Sequence, residues 1–157
     1  MTVRTHTPHL LARAGTVSAL ALATLGGTTL APGTAPDAEA ASLAVRALRI
    51  AASKQGSPYE YGAQGPHSFD CSGLTLYSYK HAGRDLPRSA AAQYGHTRHV
   101  PAPARKRGDL VFFSSESGIY HVGIYAGAGR IWHAPKTGTV VRLDKIWSGA
   151  VRYGRVR

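Results

Sequence analysis

One cysteine and two histidines carry the chemistry this sequence offers most directly. Cys71 is the only cysteine, so it forms no internal disulfide and belongs to no C-x-x-C redox or zinc pattern. It follows Asp70, an N-cap type of residue, and opens the run CSGLTLYSYKHA, which ends with Lys80, His81 and then Gly83 as a C′ residue. The spacing therefore predicts a helix over 71–82 with the thiol in its first turn. A helix N-terminus favours the thiolate, the form of cysteine that attacks a carbonyl carbon. Asp70 works against it, because a neighbouring carboxylate raises a thiol pKa, and a histidine has to outweigh that effect. By position alone a nucleophile and an inert buried thiol fit equally well.

Among eight histidines, His121 and His133 fall at matching places on two predicted strands, 119–125 and 130–134, joined by Ala126-Gly127-Ala128-Gly129. Alternation puts His121 on one face with Ile119, Gly123 and Tyr125. A loop centred on Gly127 pairs positions 121 and 133 directly, with Cβ atoms ~4.5–5.5 Å apart. A one-residue slip puts them on opposite faces. In the paired register, a helix packed across the sheet brings Cys71 to His121 while His133 orients the ring, giving nucleophile, base and orienting group. Taken singly, each histidine reads as a packing or surface residue; their joint placement points to catalysis. The same three side chains number the ligands of a catalytic zinc, yet a thiol at a helix start accounts for them without metal.

Arg4 and Arg13 precede the apolar run 17–25, and a stretch rich in small residues, Pro and Gly leads to Ala38-Glu39-Ala40. These features predict a secretory signal peptide over 1–40, cleaved between Ala40 and Ala41, with 41–157 as one small domain. Gly26 and Gly27 stop the apolar run well short of the ~20 residues of a membrane span, and no later segment is long enough. An amphipathic helix is expected over 42–53, a shaped Gly/Pro/aromatic loop over 56–69, a short helix over 90–94 and a surface loop over 100–108. Strands are expected over 110–113, 119–125, 130–134, 140–143 and 151–156. Helices first and strands afterwards indicate an α+β domain, its N-terminal helices packed on a mostly antiparallel sheet of five to six strands.

Lys and Arg number 19 against 8 Asp and Glu, a formal charge of +11. Residues 1–40 contribute none of it, since Arg4 and Arg13 balance Asp37 and Glu39. The excess favours anionic partners such as wall polymers, membrane surfaces or nucleic acid. Apart from Arg105-Lys106-Arg107, however, the basic residues are scattered from Arg46 to Arg157, and no nucleic-acid motif accompanies them. A solvated surface is the simplest use for most of them.

Six strings in order, Pro58-Tyr59-Glu60-Tyr61-Gly62, Phe69-Asp70-Cys71-Ser72-Gly73-Leu74, Leu86-Pro87-Arg88-Ser89, Gly108-Asp109-Leu110-Val111-Phe112-Phe113, His121-Val122-Gly123-Ile124-Tyr125 and His133-Ala134-Pro135, resemble the NlpC/P60 cysteine peptidases of bacterial cell walls. The resemblance runs from about Leu43 to Arg157. It implies a papain-like α+β fold and hydrolysis of peptidoglycan stem peptides, commonly between D-γ-glutamate and a diamino acid, with no cofactor or metal. By position Cys71 resembles the nucleophile, His121 the base and His133 the third member. Tyr59 is similar to the tyrosine near the oxyanion, while Asp70 and Ser72 match positions lining the substrate site, where the carboxylate meets a free amino group. An amidase or acyltransferase using the same thiol, and a non-catalytic wall-binding protein, are the competing readings. Gly62-Ala63 departs from the family's Gly-Gly, so a left-handed backbone at 63 would be strained. Many relatives carry a wall-binding module, for which this chain is expected to have no room, its positive charge serving instead by attraction to anionic wall polymers. The expectation is a secreted, wall-associated monomer that neither binds nucleic acid nor inserts stably in a membrane.

Overall fold

Leu43, Ala44, Ala47, Leu48 and Ala51 recur three and four residues apart and all are buried, the stripe that holds an amphipathic helix against a core. The computed structural model describes residues 35–157, in which this helix, α1, spans Ala35–Ser53. It starts upstream of the expected residue 42 because Ala38-Glu39-Ala40-Ala41 is built of strong helix formers. The expected leader, 1–40, otherwise lies outside the described residues. Helix α2 spans Cys71–Ala82, with Asp70 as N-cap and Gly83, in the left-handed conformation, closing it. Helix α3 spans Ala90–His96. Among the described residues no helix is long and apolar enough to cross a membrane.

Six strands follow: β1 (Arg98–Val100), β2 (Leu110–Ser115), β3 (Gly118–Gly127), β4 (Arg130–His133), β5 (Arg142–Lys145) and β6 (Val151–Arg155). They form one antiparallel sheet in the order β1-β6-β2-β3-β4-β5, so the domain is α+β. Four consecutive residues of β2, Leu110 to Phe113, are fully buried, as in a strand covered on both faces. Leu110 and Phe112 pack with Leu48, Leu74, Tyr79, Val122 and Ile124 on the helix side. Val111 and Phe113 join Tyr125, Ile131 and Tyr153 in a smaller cluster on the other side.

Two strands differ from expectation. Residues 98–100 pair with β6 although only Val100 is buried, too little alternation to signal a strand. The strand expected at 140–143 lies at Arg142–Lys145 because the residues before it are used elsewhere. Tyr59 N–H donates to Thr139 O at 2.9 Å and Val141 N–H to Ser57 O at 2.8 Å, so this segment straps the loop that carries Tyr59.

Asp109, 1% exposed, ties the start of β2 to β6. Its two oxygens accept from Arg155 Nε and Nη2, each at 2.7 Å, and Oδ2 also accepts from Lys106 N–H at 2.7 Å. Nearby, the buried Tyr79 hydroxyl donates to Gly108 O at 2.6 Å. Truncating one member of a buried ion pair strands the other, so Asp109→Ala is expected to lower unfolding free energy by about 3 kcal/mol in denaturant titration.

Candidate active site

The site is built outward from the first turn of α2. Asp70 Oδ1 accepts from Gly73 N–H at 2.7 Å, capping the helix, and Oδ2 accepts from Gly62 N–H at 2.9 Å, pinning the preceding loop to it. The loop then lies directly on the helix: a Cβ at Gly73 would sit 2.0 Å from Ala63 O, a distance no side chain tolerates. Gly62 takes the positive φ of this turn, while Ala63 is not among the residues with positive φ, so the strain expected at position 63 does not arise.

Cys71, half-buried at the helix start, turns its sulfur toward β3. Burial, then the Asp70 charge, pushes the thiol pKa up, outweighing the Val122 and Ser72 N–H groups, which favour the thiolate. β3 pairs with β4 only from Ile124 onward, so Val122 lies beyond that ladder and its N–H is open to the thiol. Among the described residues no hydrogen bond joins the sulfur to His121; the thiol meets the strand one residue away.

His121 and His133 do share a face, but not as a direct pair. The observed register sets Ile124 opposite Trp132 and Tyr125 opposite Ile131, with a bulge before Gly127. Continued, it puts His133 opposite Gly123, diagonal to His121, and a Cβ at Gly123 would come within 3.2 Å of the His133 Cβ. The missing side chain leaves the space between the rings open. A second irregularity, where Phe113 faces His121 but Ser114 faces Ile119, moves Ile119 off the His121 face and onto the helix-side cluster. That is the change of parity a bulge produces.

His121 Nε2 lies 2.8 Å from His133 Nδ1, and His133 Nε2 lies 3.0 Å from Asp144 Oδ2. Burial raises the Asp144 carboxyl, but hydrogen bonds from His133 and Arg142 outweigh it and keep it below the usual carboxylate range. An ionised carboxylate only accepts. His133 therefore donates through Nε2, accepts at Nδ1 from His121 Nε2–H, and leaves His121 Nδ1 as the free base. Burial, then the neighbouring His133, pushes His121 down to about 3. Burial also lowers His133 despite the opposing pull of Asp144. Trp147 stacks on Phe113 with ring centroids 4.0 Å apart and lies 5.5 and 5.2 Å from the rings of His121 and His133, walling off the pair.

A cleft of about 470 Å³ opens over the thiol, lined among others by Tyr59, Tyr61, Ser72, Arg88 and Tyr120. Burial raises the Tyr59 phenol, helped by the charges of Cys71 and Asp70, so it remains a hydrogen-bond donor. Arg88 Nη1 donates to Asp70 Oδ1 at 3.0 Å and to Ser72 Oγ at 2.9 Å, and Nη2 donates to Asp70 Oδ2. Burial pushes the Asp70 carboxyl up, but Arg88 and the Gly73 and Gly62 amides more than offset it and hold it low. Asp70 thus lines the cleft beside Cys71 with both oxygens already engaged by the helix, the loop and Arg88. Arg88, with a side chain 37% exposed, is the charge presented to the cleft.

The NlpC/P60 family pattern matches residues 56–153, a span holding all the site residues above. The chain belongs to the NlpC/P60 family. It is 44% identical over 106 residues to a probable endopeptidase p60 of Listeria monocytogenes, covering 64% of this chain and 22% of that protein. To the bifunctional muramidase/DL-endopeptidase CwlT of Bacillus subtilis it is 36% identical over 119 residues, covering 70% and 36%. The chain thus spans well under half the length of both relatives. Among solved structures it is similar to the peptidoglycan hydrolase RipB of Mycobacterium tuberculosis, with TM-score 0.68 and 31% identity over 77% of this chain and 68% of that one. It is also similar to RipD of the same organism, a non-catalytic NlpC/p60 domain protein adapted to peptidoglycan binding, with TM-score 0.64 and 28% identity over 73% and 98%.

Within this NlpC/P60 domain, three positioning residues were not singled out from the sequence. Asp144 was hidden because its strand is displaced by two residues. Arg88 sits in Leu86-Pro87-Arg88-Ser89 with no local signal of its contact to Asp70, eighteen residues away. Gln93 is buried in α3, where its amide donates to Ser72 O at 3.0 Å and Pro87 O at 2.9 Å and accepts from Thr75 Oγ1 at 2.7 Å, locking the Arg88 segment to α2. Its one sequence signal is a polar residue inside an otherwise alanine-rich turn.

With the thiol raised and His121 lowered, both are uncharged near neutrality. Alkylation of Cys71 by iodoacetamide is therefore expected to keep accelerating beyond pH ~8.5; a rate plateau reaching down to about pH 5 would reveal a preformed thiolate–imidazolium pair instead.

Proposed function

We propose that this protein is a secreted cysteine endopeptidase that cuts peptidoglycan stem peptides at the D-γ-glutamyl–diamino acid bond. The observation that carries the reading is the ordered proton chain from Asp144 through His133 to His121, next to a half-buried thiol in an open cleft. Two relatives named as endopeptidases support it, and the DL-endopeptidase name of one agrees with a bond from a D to an L residue. The hydrolase RipB supports a site of action in the cell wall, which residues 1–40, acting as a cleaved leader, would allow the protein to reach.

In this mechanism the Cys71 sulfur attacks the scissile carbonyl as its proton passes to His121 Nδ1. His133 and Asp144 stabilise the imidazolium through the chain of hydrogen bonds that already orders their protons. The oxyanion is met by the Tyr59 hydroxyl and by the Cys71 backbone N–H, a first-turn donor with no carbonyl four residues back to serve. The imidazolium returns its proton to the leaving amine, leaving a thioester that water hydrolyses with His121 as base. A γ-linked glutamate keeps its α-carboxylate free beside the scissile bond, and the exposed side of Arg88 suits it.

A second reading is binding without catalysis, favoured by the likeness to RipD and by the absence, among the described residues, of a Cys71–His121 hydrogen bond. Mass spectrometry of purified muropeptides incubated with the protein and with Cys71→Ala decides between them. The expected result is new fragments, broken after γ-glutamate, only with the intact thiol. Breakage at the sugar–alanine amide would mean an amidase, and uncut spectra from both proteins would mean a binding role.

Asp144 makes a separate prediction. Asn can donate as well as accept, so Asp144→Asn no longer fixes the tautomers, and kcat is expected to fall about 10–100-fold with KM little changed. Unchanged kcat would remove Asp144 from the proton chain.

A further inference from the structure

Basic residues that are scattered in the sequence are gathered by the fold. Arg46 of α1, Arg84 just beyond α2, Arg98 of β1, and Arg155 and Arg157 at β6 line a depression of about 270 Å³. An adjoining one of about 690 Å³ shares Ala40, Arg98 and Arg155 with it and adds Lys106 and Arg107. Seven of the 19 Lys and Arg residues thus border one trough. Arg155 is held by Asp109, and Arg46 donates to Ala82 O at 3.0 Å. Among the described residues, the other five form no ion pair. Among the described residues two carboxylates line the trough: Asp109, buried and committed to Arg155, and the exposed Glu39, which belongs to the expected leader.

Cations held this close repel one another, and an anion among them relieves that cost. Guanidinium groups fit phosphate oxygens in particular, through paired hydrogen bonds. Two joined depressions suit a long ligand better than a single small ion. Among the described residues no aromatic ring lines either depression, so bases find no stacking platform of the kind single-stranded nucleic acids use. We propose that this trough binds a linear phosphodiester polymer without bases, of the polyol-phosphate type carried by bacterial walls. The inference is independent of the peptidase reading, since it uses none of the thiol site. The trough meets α2 at Ala82 and the cleft meets it at Cys71, the two ends of the helix, roughly 16 Å apart at 1.5 Å per residue, so a polymer in the trough leaves the cleft open.

The test is fluorescence anisotropy of labelled poly(glycerol phosphate) with the full chain at ~0.15 M salt. The Arg84→Gln/Arg98→Gln double variant is expected to bind about tenfold or more weakly. Lys136→Gln/Arg152→Gln, which removes the same charge from exposed positions outside the trough, is expected to change affinity by less than about threefold. Arg107→Gln, at an exposed position of the second depression, is expected to weaken binding about threefold or more, and this exposed single substitution keeps the test decisive if the arginine double variant fails to fold in a thermal melt. Equal weakening by the two double variants, no effect of Arg107→Gln, or tighter binding of a single-stranded oligonucleotide of equal charge would overturn the proposal.

Discussion

The Asp144 carboxylate accepts a hydrogen bond from His133, and because it has no proton to give, every proton between it and the thiol has one arrangement. Two imidazoles in contact would otherwise interconvert between two proton arrangements, one of which leaves His121 Nδ1 protonated and unable to act as a base. Arg142, which donates to Asp144 Oδ2 through Nε at 2.7 Å, keeps the carboxylate ionised and so secures the order. Burial matters equally: it holds both rings neutral, so His121 is available as a base and not already an acid.

That chain sits on the face of the sheet away from α1 and α2, among Phe113 and Trp147, while Cys71 belongs to the helix side. The two halves come close only where β3 and β4 stop pairing. A ladder continued past Ile124 would use the Val122 N–H that instead favours the Cys71 thiolate. The site depends on a local failure of sheet regularity inside an otherwise well-buried sheet, and Gly123 and the bulge before Gly127 are the residues that make the failure possible. On the helix side, Asp70 does the complementary work, holding the helix end, the Tyr59 loop and Arg88 with one carboxylate.

What was legible in the sequence had local causes. Helix α2 was readable to its last residue, because Asp70 and Gly83 mark its ends through contacts within a few positions. The shared face of His121 and His133 was readable too, since the observed β3–β4 register differs from the symmetric one by two residues and so preserves parity. The direct pairing of the histidines was not, because a bulge is decided by packing around Gly123 and Gly127 and not by the turn alone. Asp144 depends on that register and on the strapping of 139–141 by the Tyr59 loop, a long-range contact without local signature. The basic trough escaped notice for the same reason: its members lie as far apart as Arg46 and Arg157 and become neighbours only through the fold.

β5, which carries Asp144 and Arg142, is an outer strand of four residues paired on one side only. Outer strands open at a smaller free-energy cost than strands in the middle of a sheet. Opening β5 releases His133 Nε2 while β2 and β3, with the hydrophobic clusters around them, stay folded. Heat or mild denaturant thus disorders the tautomers before it unfolds the domain, and the protein passes through a state that is folded by every bulk measure yet has lost the order of its protons.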